Sequence, residues 1–261
     1  MSTTLYQFTG ETLGPLEWCG STGTTTLVAD SWRVEDGHAV ALDLHLERFR
    51  ASALQHSDVA EATLDKFYGE VIDHIPRTGS WFPRIELVAT AGGPTLRYRE
   101  RVAPAWSTEV VVGVASHDPR TTPTIKGPDL EALLALRSAL GDPTSTEALI
   151  MSPAGFLIEG AYSSIIIWPE HSDEMVIAPR TPPRIPGITE AVLLDVAAAN
   201  GVSVHQRALS LDDLERAEVW VLSALHGIRL ATRFLHGPEL RSDPTRRNHW
   251  HAQWWSRRTA L

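Results

Sequence analysis

Apolar residues recur with two different periods along this chain, and the alternation between them lays out its elements. Residues 25–34 are rich in Thr, Val and Leu and predict a strand. Glu35-Asp36-Gly37-His38 supplies a turn, and residues 39–42 return as the second arm of a hairpin. Leu46, Phe49 and Ala53 then step at helical spacing from an Asp43 cap to about Gln55, with Arg48 off that stripe beside His45. Leu64, Phe67, Tyr68, Val71, Ile72 and Ile75 mark a second helix, closed by Pro76. The period returns to two at Ile85, Leu87 and Ala89. Past the turn Ala91-Gly92-Gly93-Pro94 it continues over 95–102, where Arg97, Arg99 and Arg101 share one face. That face reads as a solvated sheet surface in preference to a carboxylate clamp. Val110-Val111-Val112 predicts a buried strand. The first twenty or so residues, around Gly10, Gly14, Pro15 and Gly20, show no clear period and read as loop.

Residues 116–122 are polar and punctuated by proline, which predicts a boundary there. The expected division is a smaller N-terminal domain, 1–115, a linker, 116–124, and a larger C-terminal domain, 125–261. Residues 123–126 read as extended. Pro128 suits the first position of a helix carried by Leu130, Leu133, Leu134 and Leu140. Short strands follow at 148–151, 156–159, 163–168 and 175–178. Pro186-Gly187-Ile188-Thr189 opens a helix ended by Asn200-Gly201. Residues 202–208 predict a strand, Ser210 caps a short helix to about Ala217, and 219–222 form another strand. The class expected from this pattern is α+β in two domains.

Composition narrows the function. With 261 residues, 43% of them hydrophobic, the chain can build one large or two modest domains with real cores. A net charge of -9 and a pI of about 5.6 give no global field for nucleic acid or an anionic membrane. The single cysteine, Cys19, excludes an internal disulfide framework and suits a reducing cytosol. Met1-Ser2-Thr3-Thr4-Leu5-Tyr6 shows no leader pattern, and no apolar run spans a bilayer, so a cytoplasmic protein is expected. No metal is expected, because His249 and His251 lack a helical ligand spacing and no Cys/His cluster exists. The segment from Arg246 to Arg258 mixes bases with aromatics. It could stack nucleic-acid bases, but a docked helix burying Trp250 and Trp254 is the simpler reading.

Candidate chemistry centres on one residue. Of 23 Lys and Arg residues only two are lysines, Lys66 and Lys126, so the chain writes Arg wherever positive charge alone is needed. A guanidinium cannot form an imine at neutral pH, whereas a desolvated amine can. Lys126 sits at the predicted strand-to-helix junction, where side chains look into clefts; chance survival of one lysine is the bland alternative. Glu159 ends the apolar run 155–158, and a carboxylate there needs a partner. Either it pairs with an arginine, or it holds the cationic ring nitrogen of a cofactor. Pro186-Gly187-Ile188-Thr189 offers unsatisfied N–H groups and a hydroxyl at a helix start, a place that attracts phosphate but often binds nothing. Arg48 could add counter-charge.

Together these segments resemble the class IV aminotransferase family, the fold-type IV pyridoxal phosphate enzymes. The resemblance runs through His45-Leu46-Glu47-Arg48-Phe49, Ile125-Lys126, Glu147-Ala148-Leu149-Ile150, Glu159-Gly160-Ala161, Ile185-Pro186-Gly187-Ile188-Thr189 and 209–224, in order, from about residue 25 to 235. It implies a D-amino-acid aminotransferase-like two-domain fold, a homodimer, pyridoxal 5'-phosphate as cofactor and a small amino substrate. It further implies that Lys126 bonds the cofactor aldehyde and shuttles protons, that Glu159 holds the pyridine nitrogen, and that Arg48, Ile188 and Thr189 hold the phosphate. Four positions depart from the family pattern. Glu190 replaces the arginine after Gly-Ile-Thr, and Glu131 the tyrosine five residues past the lysine. Ala161-Tyr162-Ser163-Ser164 lacks an asparagine, and Ser223-Ala224-Leu225 stands where the aminotransferases have Ser-Gly-Thr. The last is more similar to the Asn-Ala-Leu of the 4-amino-4-deoxychorismate lyases. A lyase-like reaction is therefore the expectation, with a branched-chain or D-amino-acid aminotransferase, or a binder without turnover, as alternatives. Arg33, Arg97 and Arg229 are candidates for a substrate carboxylate, although each reads more simply as structural.

Overall fold

The computed structural model describes residues 3–16 and 23–261; Cys19 and Gly20 lie outside them. The chain forms two compact units. One comprises 1–105, 125–128 and 257–261; the other comprises 106–124 and 129–256.

The first unit is built on β1 (Thr3–Phe8), β2 (Leu13–Pro15), β3 (Thr25–Ser31), β4 (Val34–Glu35) and β5 (His38–Val40), then α1 (Leu42–His56) and α2 (Glu61–His74), then β6 (Ser80–Trp81), β7 (Arg84–Thr90) and β8 (Gly93–Arg101). A five-stranded sheet runs β2-β1-β8-β7-β3, its long pairs antiparallel, which leaves β3 at an edge. Leu64, Phe67 and Val71 from α2 and Phe49 and Ala53 from α1 pack with Ile85, Leu87 and Tyr98 in one core. The opening residues are strands and not loop, because β1 pairs along most of its length with β8. The hairpin at 34–40 is present. The helix after it begins at Leu42 with Ala41 in the left-handed region, so Asp43 lies inside its first turn and does not cap it.

The arginine face corrects a second expectation. Arg97 is only 2% exposed, and Arg84 and Arg99 both reach Glu86 at 2.8 Å. Glu86 is registered opposite Arg97 and buried at 1% exposure. A carboxylate removed from water requires cations around it, so these arginines close over Glu86 instead of facing solvent. Arg101 donates to the Phe82 carbonyl and Ser31 hydroxyl, and burial lowers its pKa to about 10.

The second unit comprises β9 (Glu109–Val114), α3 (Leu130–Leu140), β10 (Thr146–Met151), β11 (Leu157–Gly160), β12 (Ser164–Trp168), β13 (Met175–Ile177), α4 (Ile188–Ala199), β14 (Val204–Gln206), β15 (Glu218–Ser223), β16 (Gly227–Leu235) and α5 (Pro244–Trp255). Its sheet runs β11-β10-β9-β16-β15-β12-β13-β14. Because β9 pairs in parallel with both β10 and β16, residues 106–115 belong here and not to the first unit. Residues 116–124 are no free linker either: Asp129 accepts from the amides and hydroxyls of Thr121 and Thr122. With its carboxylate so used, Asp129 is the residue before α3, which starts at Leu130 and not at Pro128. The extended reading of 123–126 likewise fails, since this stretch is turns and bends. The strand at 227–235 was not anticipated. The short helix after Ser210 shrinks to one 3-10 turn, Asp212–Leu214.

The aromatic tail is helix α5. Asp243 accepts from the Thr245 amide at its start, and Pro244 occupies the first turn. Trp250 packs against Trp168 and Trp220 with ring centroids 5.2 and 5.7 Å away. The last strand, β17 (Arg258–Ala260), pairs with β5 and belongs to the first unit.

Trp250→Ala should lower unfolding stability by about 3–5 kcal/mol. The check is a urea titration, in which the midpoint should fall while the slope stays unchanged.

Candidate active site

In the first unit the site is organised by β3. As the edge strand, β3 bonds β7 on one side only, and the Ala29 amide on its other side donates to the Lys126 carbonyl at 2.7 Å. Lys126 is thus docked by its backbone as though it were one residue of an added strand. Ile125, 8% exposed, anchors the preceding position in the core. Gly127 follows at φ +143°, and a Cβ built there would lie 2.8 Å from the Ala29 nitrogen and 2.9 Å from the Val28 backbone.

The neighbouring residue, Asp30, gathers the charges. It accepts from Arg48 Nε and Nη2 at 2.8 Å each and from His45 Nδ1 at 2.8 Å. His45 and Arg48 share one side of α1 because they are three residues apart. Burial works against the Asp30 carboxylate, yet Arg48 and His45 hold its pKa far below the ordinary range. For His45 burial lowers the pKa and Asp30 opposes it; the charges of Arg48 and Lys126 lower it further. The two predicted residues Arg48 and Lys126 therefore meet consecutive residues of one strand. Asp30 and His45 went unrecognised as partners; the spacing His45–Arg48 was visible, but nothing in the chain pattern named Asp30 as their acceptor.

The second unit carries Glu159 and the start of α4. Glu159, in β11, receives Arg120 at 2.5 Å and the Ile185 amide at 3.3 Å. Arg120 also bonds Asp118 at 2.8 Å and the Pro183 carbonyl at 3.2 Å. The arginine partner foreseen as one of two readings of Glu159 is thus present. Burial pushes the Glu159 pKa up to about 7 even though Arg120 opposes the shift. The bond to Ile185 places this carboxylate beside the segment leading into α4. That helix has Gly187 ahead of it and no side-chain cap, with Thr189 5% exposed. A Cβ at Gly187 would collide with the Ser164 hydroxyl, so Ser164 packs where the chain enters the helix. Glu190 in the first turn is fully buried, and Arg184 meets it with two hydrogen bonds at 2.8 and 2.9 Å. The acidic substitution at 190 is therefore neutralised locally.

Other candidates take structural partners. Arg33 bonds Glu35 and the Pro104 carbonyl, and Arg229 lies 3.5 Å from a fully buried Glu147. Glu131 is exposed on α3. The Ser223 hydroxyl accepts from the His226 amide at 3.2 Å. Among the described residues, no group of His, Cys, Asp and Glu is arranged to hold a metal ion, and no helix is long and apolar enough to cross a membrane.

The first unit offers an amine docked on a sheet edge and an arginine held by an aspartate, and the second a buried carboxylate with a raised pKa and a buried, uncapped helix start; by donor chemistry each set suits part of an anionic, aldehyde-bearing cofactor. The fold is that of the fold-type IV aminotransferases. A fold IV-transaminase from Curtobacterium pusillum superposes with a TM-score of 0.78 at 20% identity, covering 98% of this chain and 100% of that one. A hypothetical aminotransferase from Mycobacterium tuberculosis, in its apo form, gives 0.80 at 18% identity, covering 98% of each chain. The branched-chain amino acid aminotransferase from Escherichia coli gives 0.76 at 17%, covering 97% of this chain and 92% of that one. Residues 27–234 match the amino-transferase class IV family, and the chain belongs to it. No curated protein matches by sequence.

The raised pKa of Glu159 has a thermodynamic consequence. Between its unfolded value near 4.5 and about 7, the native state keeps a proton that the unfolded chain has released, so stability falls as pH rises through that window. Glu159→Gln should remove this slope, a difference of up to about 3 kcal/mol between pH 4 and pH 8. Urea midpoints of both proteins across that range check it. Parallel profiles would mean that Glu159 titrates normally.

Proposed function

We propose that this chain is a pyridoxal phosphate-dependent enzyme acting at the amine-bearing carbon of a small amino substrate. The observation that carries the reading is the backbone docking of Lys126 on β3, in a chain of the class IV aminotransferase family. Bound there, pyridoxal phosphate supplies an aldehyde for amine exchange and a ring that takes up the electron pair of the broken bond. Lys126 would hold the aldehyde covalently at rest and, once the substrate's amine has displaced it there, its freed Nζ would take the proton from the substrate's amine-bearing carbon. Ile188 and Thr189 hold the phosphate through their N–H groups, which have no acceptor within the helix. Arg48, fixed in orientation by Asp30, supplies counter-charge. Glu159 would hold the proton at the ring nitrogen, and its ion pair with Arg120 keeps this buried carboxylate oriented.

For the overall reaction we favour a 4-amino-4-deoxychorismate lyase-like outcome, releasing pyruvate and p-aminobenzoate, a step of folate biosynthesis. Ser223-Ala224-Leu225 supports it, being similar to the Asn-Ala-Leu of the lyases and lacking the hydroxyl of the aminotransferases' Ser-Gly-Thr. The second reading is an aminotransferase, supported by the family match. A homodimer in the cytosol belongs to either reading on the family pattern.

Purified protein supplied with pyridoxal phosphate should develop the visible absorbance of the bound cofactor; a colourless protein would favour a binder without turnover. Pyruvate formed from aminodeoxychorismate with no keto-acid acceptor is the expected product. Conversion of the bound cofactor to its amine form by an amino acid, without pyruvate, would instead establish the aminotransferase.

A further inference from the structure

We infer that Gly127 and Ile125 are positioning residues for Lys126, and that the open edge of β3 is the seat on which they hold it. The inference rests on the cofactor reading for its functional part but on geometry for the seat itself. Ile125 fixes the chain ahead of the lysine by burial in the first unit's core. The Lys126 carbonyl then accepts the Ala29 amide at 2.7 Å, satisfying a donor that an edge strand would otherwise leave without a protein partner. Gly127 makes that approach possible in two ways. Its φ of +143° lies where side-chain-bearing residues are strained, and its α-carbon sits so close to Val28 and Ala29 that a methyl group would overlap their backbone. The obstructing atoms are main-chain atoms of a paired strand, so no side-chain rotation makes room. A larger residue at 127 must lift the chain off β3, and the Lys126 amine moves with it.

The same contact fixes the amine relative to the residue after Ala29, since Asp30 holds Arg48 and His45. Lifting residue 126 therefore changes where the amine stands with respect to the arginine, while leaving the Asp30 cluster intact. A displacement of about 1 Å at a reacting group is enough to cost about 100-fold in rate.

The test compares the wild type with Gly127→Ala, Ile125→Val and a control, Gly69→Ala, whose added methyl meets nothing within 4 Å on α2. Two quantities are read on folded protein: hydrogen exchange of the Ala29 amide without cofactor, and the rate at which added pyridoxal phosphate develops its protein-bound absorbance. Gly127→Ala should speed Ala29 exchange by about 100-fold and slow capture by a similar factor, with the exchange of the α2 amides unchanged. Ile125→Val, a one-methylene deletion that leaves the fold standing, should move both in the same direction by about threefold. Gly69→Ala should match the wild type. A Gly127→Ala protein that keeps Ala29 protected and captures the cofactor at the wild-type rate overturns the inference. Should Gly127→Ala fail to fold, an unchanged Ile125→Val overturns it. A wild type that captures no cofactor defeats the cofactor reading alone, because the exchange arm still decides the seat.

Discussion

A single backbone hydrogen bond, from the Ala29 amide to the Lys126 carbonyl, sets the geometry of the first unit's chemistry. Edge strands carry a row of donors and acceptors that need covering, and proteins cover them with charge, proline or another segment. Here the covering segment is four residues of chain that leave and re-enter the other unit, and one of them is Lys126. Edge protection and placement of the lysine are thereby one interaction. Its energy is modest, about 1 kcal/mol for a typical backbone bond, but its direction is fixed by a strand that β7 holds in register.

Buried charge is the second theme, and it recurs in both units. Asp30 with His45 and Arg48, Glu86 with Arg84 and Arg99, Glu159 with Arg120, and Glu190 with Arg184 are each a carboxylate removed from water and met by cations. Such pairs add little net stability, because desolvation offsets most of the attraction. Their effect is to hold guanidinium groups in one orientation, which suits anions that must be bound in a defined place. This also accounts for the dominance of arginine over lysine in the sequence: a planar fork can serve two carboxylate oxygens at once.

The sequence made some of this legible and hid the rest for identifiable reasons. Helices α1, α2 and α5 were readable because their apolar positions keep a helical period and bury one stripe, as Phe49 with Ala53 and Trp250 with Trp254 show. Strands β1 and β2 were hidden because glycine and proline interrupt short stretches whose pairing is long-range. The boundary was misplaced for a related reason: a polar, proline-punctuated run looks like a linker, but Asp129 and Glu159 turn it into bound structure through Thr121, Thr122 and Arg120. Lys126, Glu159 and the Pro186–Thr189 segment stood out by residue type and motif. Asp30, Arg120 and Arg184 did not, since an ion pair between residues far apart leaves no periodic trace, and an aspartate within an apolar strand looks the same whether it caps a turn or gathers two cations. The arginine face of β8 was misread because alternation reports which side a residue faces, not whether that side is wet.

The account stands on one scarce amine being the point of covalent attachment. Reduction of the protein with borohydride in the presence of pyridoxal phosphate, followed by digestion and mass measurement of the peptides, tests that attachment directly. A single phosphopyridoxyl group on the peptide carrying Lys126 is the predicted result. A label on the peptide carrying Lys66, or no label at all, would contradict it.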